Sequence, residues 1–242
     1  MPPAGMRMSE DPSPAVRERV DGAAIYRLLA WLSPGFPVGA FAFSHGLEAA
    51  VEGGQVHDRA GLQAWIAAVV IRGAGRIDAD IVRNAHRAAV AGDLPALLET
   101  NRRGLAFRGT AELALEAVAQ GAAFIAACRA AWPVSLLDGL GEDETCYAAA
   151  FGAAAGAARI PIEATLIGYL QAMAANLVSA GIRLGVVGQS DGQRILAALE
   201  PAIAVAAQAA ETRGEGEFGS AGFVVELYSM AHDTQYSRLF RS

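Results

Sequence analysis

The chain has 242 residues, of which 53% are hydrophobic and 18% charged, so it can bury a large core and is not a disordered polypeptide. Its formal net charge of -6 argues against a nucleic-acid-binding surface. All 19 basic residues are arginines, and the absence of lysine excludes a P-loop lysine, a Schiff-base lysine and a carbamylated-lysine metal bridge.

The two ends of the chain are predicted to lie outside the folded domain. Residues 1–22 are interrupted by proline and lack the apolar segment of a signal peptide, so they are predicted to form a disordered tail. An all-α helical domain is predicted over residues 23–231, followed by a partner-docking tail over residues 232–242. The uncharged stretch 164–182 has the length of a membrane span, but its polar residues fit a buried helix of a cytoplasmic protein better.

Apolar residues at helical spacing, separated by Gly, Pro and Asp, predict a single-domain multi-helix bundle. Asp58 is a predicted N-cap, and Asp93 with the proline two residues later is predicted to open another helix. Segments 142–157 and 161–184 are so rich in Ala and Gly that they are predicted to form the centre of the bundle. The predicted helices cover residues 23–32, 58–69, 78–90, 93–98, 110–131, 142–157, 161–184 and 191–212.

The segment 110–131 has the clearest amphipathic pattern in the chain. Three polar residues, Glu112, Glu116 and Gln120, are predicted to line one side and to face solvent. The apolar residues predicted to share the other side are Leu113, Ala117, Val118, Phe124, Ile125 and Cys128. The pattern therefore predicts a helix that packs on the bundle through one face only.

The sequence shows no catalytic or metal-binding constellation. The four histidines do not pair at a spacing of three or four residues, and Cys128 and Cys146 are predicted to be small buried hydrophobic residues. Asp78, Asp80 and His86 do not share one face of their predicted helix, so they are predicted to be exposed or to cap it. The chain is therefore predicted to carry no catalytic residue, no metal ligand and no cofactor.

Three segments contain residues that a helical core does not require. Loop 33–48, SPGFPVGAFAFSHGLE, is stiff and apolar. It is a candidate for partner binding, and the alternative is that it packs over the domain's own core. Segment 187–194 places several amide and charged side chains near the start of a helix. Capping alone needs only one such residue. The end of the chain, 230–242, interleaves aromatic and arginine residues, which interfaces favour, although it too has the alternative of packing on its own domain. The candidate partner-binding residues in these segments are Phe41, Ser44, Glu48, Gln189, Asp191, Gln193, Arg194, Tyr236, Arg238, Leu239 and Phe240.

Taken in order, the loop SPGFPVGAFAFSHGLE, the turn GQSDGQR and the end MAHDTQYSRLFRS resemble the UreF family of urease accessory proteins. With the helical pattern between these motifs, the resemblance covers residues 23–242. One departure is Ala231, because the family often has an arginine after the methionine at this point.

The resemblance implies a non-enzymatic role in assembling the nickel active site of urease. Proteins of this kind form an all-α homodimer and bind the accessory protein UreD, also called UreH. That pair recruits the GTPase UreG, and the complex acts on apo-urease so that nickel insertion is coupled to GTP hydrolysis. Nickel binding is thereby implied for the process, and no metal ligand is assigned to this chain. The competing interpretation is a helical small-molecule-binding protein or enzyme with a pocket among the Ala- and Gly-rich helices.

Overall fold

The structure, a computed structural model, describes residues 21–141 and 144–241. Within those ranges the chain consists of helices and connecting segments, which confirms the predicted all-α class. The α-helices are α1 (Gly22–Trp31), α2 (Leu47–Glu52), α3 (Arg59–Ala67), α4 (Ala74–Ala91), α5 (Leu94–Ala106), α6 (Ala111–Ala131), α7 (Tyr147–Ala157), α8 (Ile162–Arg183), α9 (Gln189–Thr212) and α10 (Phe223–Asp233). Of the predicted N-terminal tail, residues 1–20 lie outside the described residues, while Asp21 and Gly22 belong to the start of α1.

Side-chain caps explain where several helices begin. The carboxylate of Asp58 accepts a hydrogen bond from the Gly61 N–H at 2.7 Å, and Asp93 does the same for the Ala96 N–H at 2.9 Å. Thr110 caps α6 through its hydroxyl. The predicted N-cap at Asp58 and the predicted helix start at Asp93 are therefore confirmed.

Helix α7 lies at the centre of the bundle, as its composition predicts. Every residue from 148 to 156 is buried, and two glycines let α7 approach α4 closely. A Cβ atom at Gly152 would lie 2.5 Å from the carbonyl oxygen of Val82, and one at Gly156 would overlap the carbonyl of His86. The small residues are thus required by helix–helix contact. The same prediction was wrong for α8, which buries one side only.

Among the described residues, three helices, α6, α8 and α9, are long and apolar enough to cross a membrane by length and composition, with mean hydropathies of 1.4, 1.3 and 1.2. The uncharged stretch 164–182, which has the length of a membrane span, belongs to α8. Half of the most apolar window of α6 and of α8 is buried inside the fold, against 28% for α9. A large part of the apolar surface of α9 therefore stays uncovered in the single chain.

Candidate partner-binding site

The last helix and the residues after it pack back onto α2 and α6. His232, near the end of α10, is completely buried between two carboxylates. Its Nδ1 atom lies 3.0 Å from both oxygens of Glu112, and its Nε2 atom lies 3.0 Å from Oε2 of Glu48. Because both ring nitrogens face carboxylate oxygens, both donate only when the imidazole is protonated. The three side chains form a buried cluster joined by hydrogen bonds.

Glu48 also holds the backbone of the C-terminal segment. The Leu239 N–H donates to its Oε1 at 2.6 Å, and the Phe240 N–H donates to its Oε2 at 2.9 Å. The Arg238 guanidinium donates to Glu112 at 3.0 Å. A carboxylate that accepts several hydrogen bonds in a buried place fixes the groups that donate to it. The segment is therefore anchored to α2 and α6.

This anchoring differs from the predicted boundary between domain and tail at residues 231 and 232. Helix α10 continues to Asp233, and Phe240 is only 3% exposed, with the Arg183 guanidinium 4.3 Å from its ring centre. Apolar burial explains the difference, because a terminal aromatic ring gains free energy by covering the core. Tyr236 is fully exposed and Leu239 is 62% exposed. Of the four candidate tail residues, these two project from the surface most fully.

The loop 33–48 meets the C-terminal segment at the same place. The Arg241 N–H donates to the carbonyl of Ala42 at 2.8 Å, so the two segments run against each other. Phe41 is 69% exposed, whereas Ser44 is buried like Glu48. Of the three loop residues proposed for partner contact, only Phe41 therefore lies at the surface.

The remaining candidate segment, residues 187–194, runs into the first turn of α9 and contacts α3. Asp191 lies 2.9 Å from the Arg194 guanidinium and 3.5 Å from that of Arg59. Gln189 and Gln193 are exposed on the same turn. The loop and the C-terminal segment thus share one surface region, while the α9 turn presents its polar side chains beside α3.

A tight turn places both the loop and α2. His45 and Gly46 have backbone φ angles of 51° and 71°, which is the left-handed region that favours glycine. A Cβ at Gly46 would lie 2.7 Å from the backbone nitrogen of Ser229 in α10. Glycine is therefore required where α2 touches α10, which in turn aligns Glu48 with His232.

The prediction that Glu112, Glu116 and Gln120 face solvent was wrong. All three are buried on one face of α6, where the two glutamates meet histidines from other parts of the chain and Gln120 donates to Glu116. Glu112 meets His232, and Glu116 lies 3.1 Å from Nε2 of His45. The polar stripe on a largely apolar helix marks these three residues as sharing one face. It does not show that this face is buried.

Glu116 and His45 line a cavity of about 440 Å³ beneath residues 33–41, between α4, α6, α7 and α8. Burial alone would lower the pKa of His45, but the Glu116 carboxylate outweighs it, and the pKa is raised. On the same cavity wall, the Arg108 guanidinium donates to Asp78 at 2.6 Å, and the Tyr169 hydroxyl donates to Asp78 at 2.8 Å. Two buried ion pairs thus form the cavity floor.

The prediction that Asp78, Asp80 and His86 are exposed or act as caps was also wrong, since all three are buried. Asp80 pairs with the Arg213 guanidinium at 2.7 Å. Nε2 of His86 donates to the carbonyl of Ile160 at 2.7 Å, and burial lowers its pKa. Hydrogen-bond and ion-pair partners from distant parts of the chain offset the cost of burying these polar groups. The spacing of residues along one helix does not reveal such partners.

In the part of the chain that the structure describes, no group of three or more His, Cys, Asp or Glu residues is arranged to hold a metal ion. Cys128 and Cys146 are free and buried, as predicted. Burial raises the pKa of Cys128 to about 12 and also raises that of Cys146, so both stay as neutral thiols.

Comparison with known proteins identifies the family. A family model described as UreF matches residues 56–200. The chain is similar to the urease accessory protein UreF of Granulibacter bethesdensis (47% identity over 91% of this chain and 94% of the relative). It is also similar to the UreF proteins of Methylobacterium sp. strain 4-46 (47%, covering 89% and 87%) and Rhodopseudomonas palustris strain BisB18 (43%, covering 94% and 96%).

The relatives that match are named accessory proteins, so they define the class as an accessory protein family and not a catalytic one. Residues 56–200 make up more than half of the chain, and each of the three relatives is matched over most of its length. The chain belongs to the UreF family of urease accessory proteins.

Proposed function

We propose that this protein is a scaffold for the assembly of the nickel centre of urease. In this proposal it binds the accessory protein UreD (UreH), and the pair recruits the GTPase UreG to apo-urease. Nickel is the cargo of the process, and the chain itself is assigned neither a metal ligand nor a cofactor. Such a scaffold acts by binding one state of a partner better than another.

The observation that carries the proposal is the exposure of Tyr236 and Leu239 on an anchored segment. Both apolar side chains face solvent, while the backbone beside them is fixed by Glu48. A side chain held in its bound position loses less entropy on association than one on a mobile peptide. Aromatic and apolar anchors of this kind supply much of the binding energy at protein interfaces. Phe41, which is exposed on the neighbouring loop, supports the same docking surface.

Co-purification of the full chain with UreD (UreH), UreG and apo-urease tests the proposal. The wild-type protein is expected to capture the partners, and Tyr236→Ala with Leu239→Ala to lose them. A matched control is Val205→Ala, because Val205 is exposed on the distant helix α9. Capture by the double variant at the wild-type level would move the interface elsewhere, with Phe41 as the next residue to change.

The proposal includes a homodimer. Apolar helix faces remain exposed in the single chain, among them one on α10 formed by Phe223, Val224, Leu227 and Met230. Exposed apolar faces of this size are typical of surfaces that associate.

The proposed setting of the scaffold is the cytoplasm, without contact to membrane or nucleic acid. The net charge of -6 disfavours binding to anionic lipids and to nucleic acids. Helix α6, one of the three apolar helices, carries two buried glutamates that pair with histidines. This arrangement supports a role for α6 in a protein core.

A further inference from the structure

The cavity beneath residues 33–41 is larger than a packing defect. Its volume of about 440 Å³ lies in the range of small-molecule sites, which run from roughly 300 to 1,000 Å³. One wall is apolar and includes Phe36, Val38 and Met173. The floor is polar and carries the two buried ion pairs. An apolar wall facing a few converging polar groups is the usual composition of a ligand site.

Each carboxylate on the floor lies beside a basic side chain. Arg108 neutralises Asp78 at 2.6 Å, and Nε2 of His45, whose pKa is raised beside Glu116, lies 3.1 Å from that carboxylate. Gln120 donates a further hydrogen bond to Glu116 at 2.8 Å. A charged ligand would enter a site that has no uncompensated counter-ion, and burying an unpaired charge is costly. The floor therefore favours a ligand without net charge.

Two further polar residues, His45 and Tyr147, belong to the cavity lining. Nδ1 of His45 is buried and has no hydrogen-bond partner among the described residues. Tyr147 also lines the cavity, and its ring lies 5.5 Å from the rings of both Phe124 and Tyr169. Burial raises the pKa of Tyr147, so its hydroxyl keeps its proton and is available as a donor. Such a donor matches a carbonyl oxygen.

We propose that this cavity binds a neutral organic molecule, with its apolar body against the Phe36 wall and a carbonyl oxygen accepting a hydrogen bond from Tyr147. This ligand site is separate from the proposed docking of partner proteins and does not depend on it. The protein is thus both an accessory protein and a small-molecule-binding protein.

Isothermal titration calorimetry of the isolated full chain tests the proposal with acetanilide, a neutral aromatic amide. Toluene, benzoate and benzylammonium are the comparison probes, since they lack the carbonyl or add a charge of either sign. Acetanilide is expected to bind saturably, and both charged probes to bind more weakly. The absence of saturable acetanilide binding, or tighter binding of benzoate or benzylammonium, would overturn the proposal.

Two substitutions locate the bound probe. Tyr147→Phe removes only the hydroxyl and is expected to weaken acetanilide binding about five- to tenfold while leaving toluene binding unchanged. Ala172→Phe fills the cavity from α8 and is expected to abolish binding, whereas Ala198→Phe, on the exposed side of α9, is its control. Unchanged acetanilide affinity in Tyr147→Phe would refute the carbonyl contact, and this variant decides the matter even if Ala172→Phe does not fold.

Discussion

The Nδ1 atom of His232 lies 3.0 Å from both carboxylate oxygens of Glu112, so a histidine near the end of the chain contacts a glutamate in the first turn of α6. The other ring nitrogen meets Glu48, which in turn holds the backbone of residues 239 and 240. One buried imidazole therefore joins α2, α6 and α10. The position of the C-terminal segment depends on this cluster.

Replacing His232 by alanine is expected to destabilise the protein by about 3–5 kcal/mol, because two buried carboxylates lose their common partner. Urea unfolding monitored by circular dichroism measures the change. His57→Ala is the matched control, since His57 is exposed and its loss is expected to cost less than about 0.5 kcal/mol. A cost below about 1 kcal/mol for His232→Ala would contradict the role of His232 in holding this buried cluster together.

Gly152→Ala tests the close approach of α7 to α4. The added methyl group would lie 2.5 Å from the carbonyl oxygen of Val82, so the helices must separate, at a cost of about 1–3 kcal/mol. Gly216→Ala is the control, because a Cβ there meets no atom within 4 Å. Thermal unfolding of both variants is the measurement. Equal melting temperatures for Gly152→Ala and the wild type would show that the two helices do not touch there.

Two buried histidines are expected to give opposite pH dependences. The raised pKa of His45 means that its contribution to stability is complete below its ordinary value of 6.5 and is lost as pH rises through the folded-state pKa. The lowered pKa of His86 means that its contribution is present above 6.5 and is lost as pH falls. The free energy of unfolding of His45→Gln should therefore drop most, relative to wild type, at acidic pH, and that of His86→Gln at alkaline pH.

Urea unfolding at about pH 5.5 and about pH 8.5 compares these two variants with the wild type, and each serves as the control for the other. NMR titration of the imidazole carbons reports the two sites directly. A midpoint for His45 below that of His86 would reverse the assignment.

The proposed homodimer predicts a solution mass of twice the chain mass at micromolar concentration, measured by light scattering. Leu227→Glu places a charge in the exposed apolar face of α10 and is expected to shift the mass to that of a monomer. Leu29→Glu makes the same change on α1, which is a second exposed apolar face. A monomeric wild-type protein would contradict the proposal, and a response to Leu29→Glu alone would assign the interface to α1.

Local signals in the sequence were sufficient for the all-α class, for caps such as Asp58 and for the buried centre at α7. Capping and helical spacing depend on neighbouring residues, so a single sequence records them. The environments of Glu112, Glu116 and Asp78 were predicted wrongly, because each is buried by a partner from another segment. Spacing along one helix identifies which residues share a face, and it does not reveal what that face meets.

The end of the chain shows the same limit. Its aromatic and arginine residues mark it as unusual, but nothing in their order separates Phe240, which is buried, from Tyr236, which is exposed. The distinction comes from Glu48, which lies almost two hundred residues earlier in the chain. Its carboxylate accepts hydrogen bonds from the backbone N–H groups of Leu239 and Phe240. Sequence reasoning therefore identified the segment as a candidate site, and the structure shows which of its side chains lie at the surface.

Urease activation in cells that express urease and its other accessory proteins but lack this chain is the most direct measurement of the proposed function. The wild-type protein is expected to restore urease activity and the nickel content of purified urease. Tyr236→Ala with Leu239→Ala is expected to abolish both while leaving the unfolding free energy of the isolated protein within about 0.5 kcal/mol of wild type, since both side chains are largely exposed. Failure of the wild-type protein to restore nickel to urease, or full restoration by the double variant, would contradict a scaffold that docks through its anchored C-terminal segment.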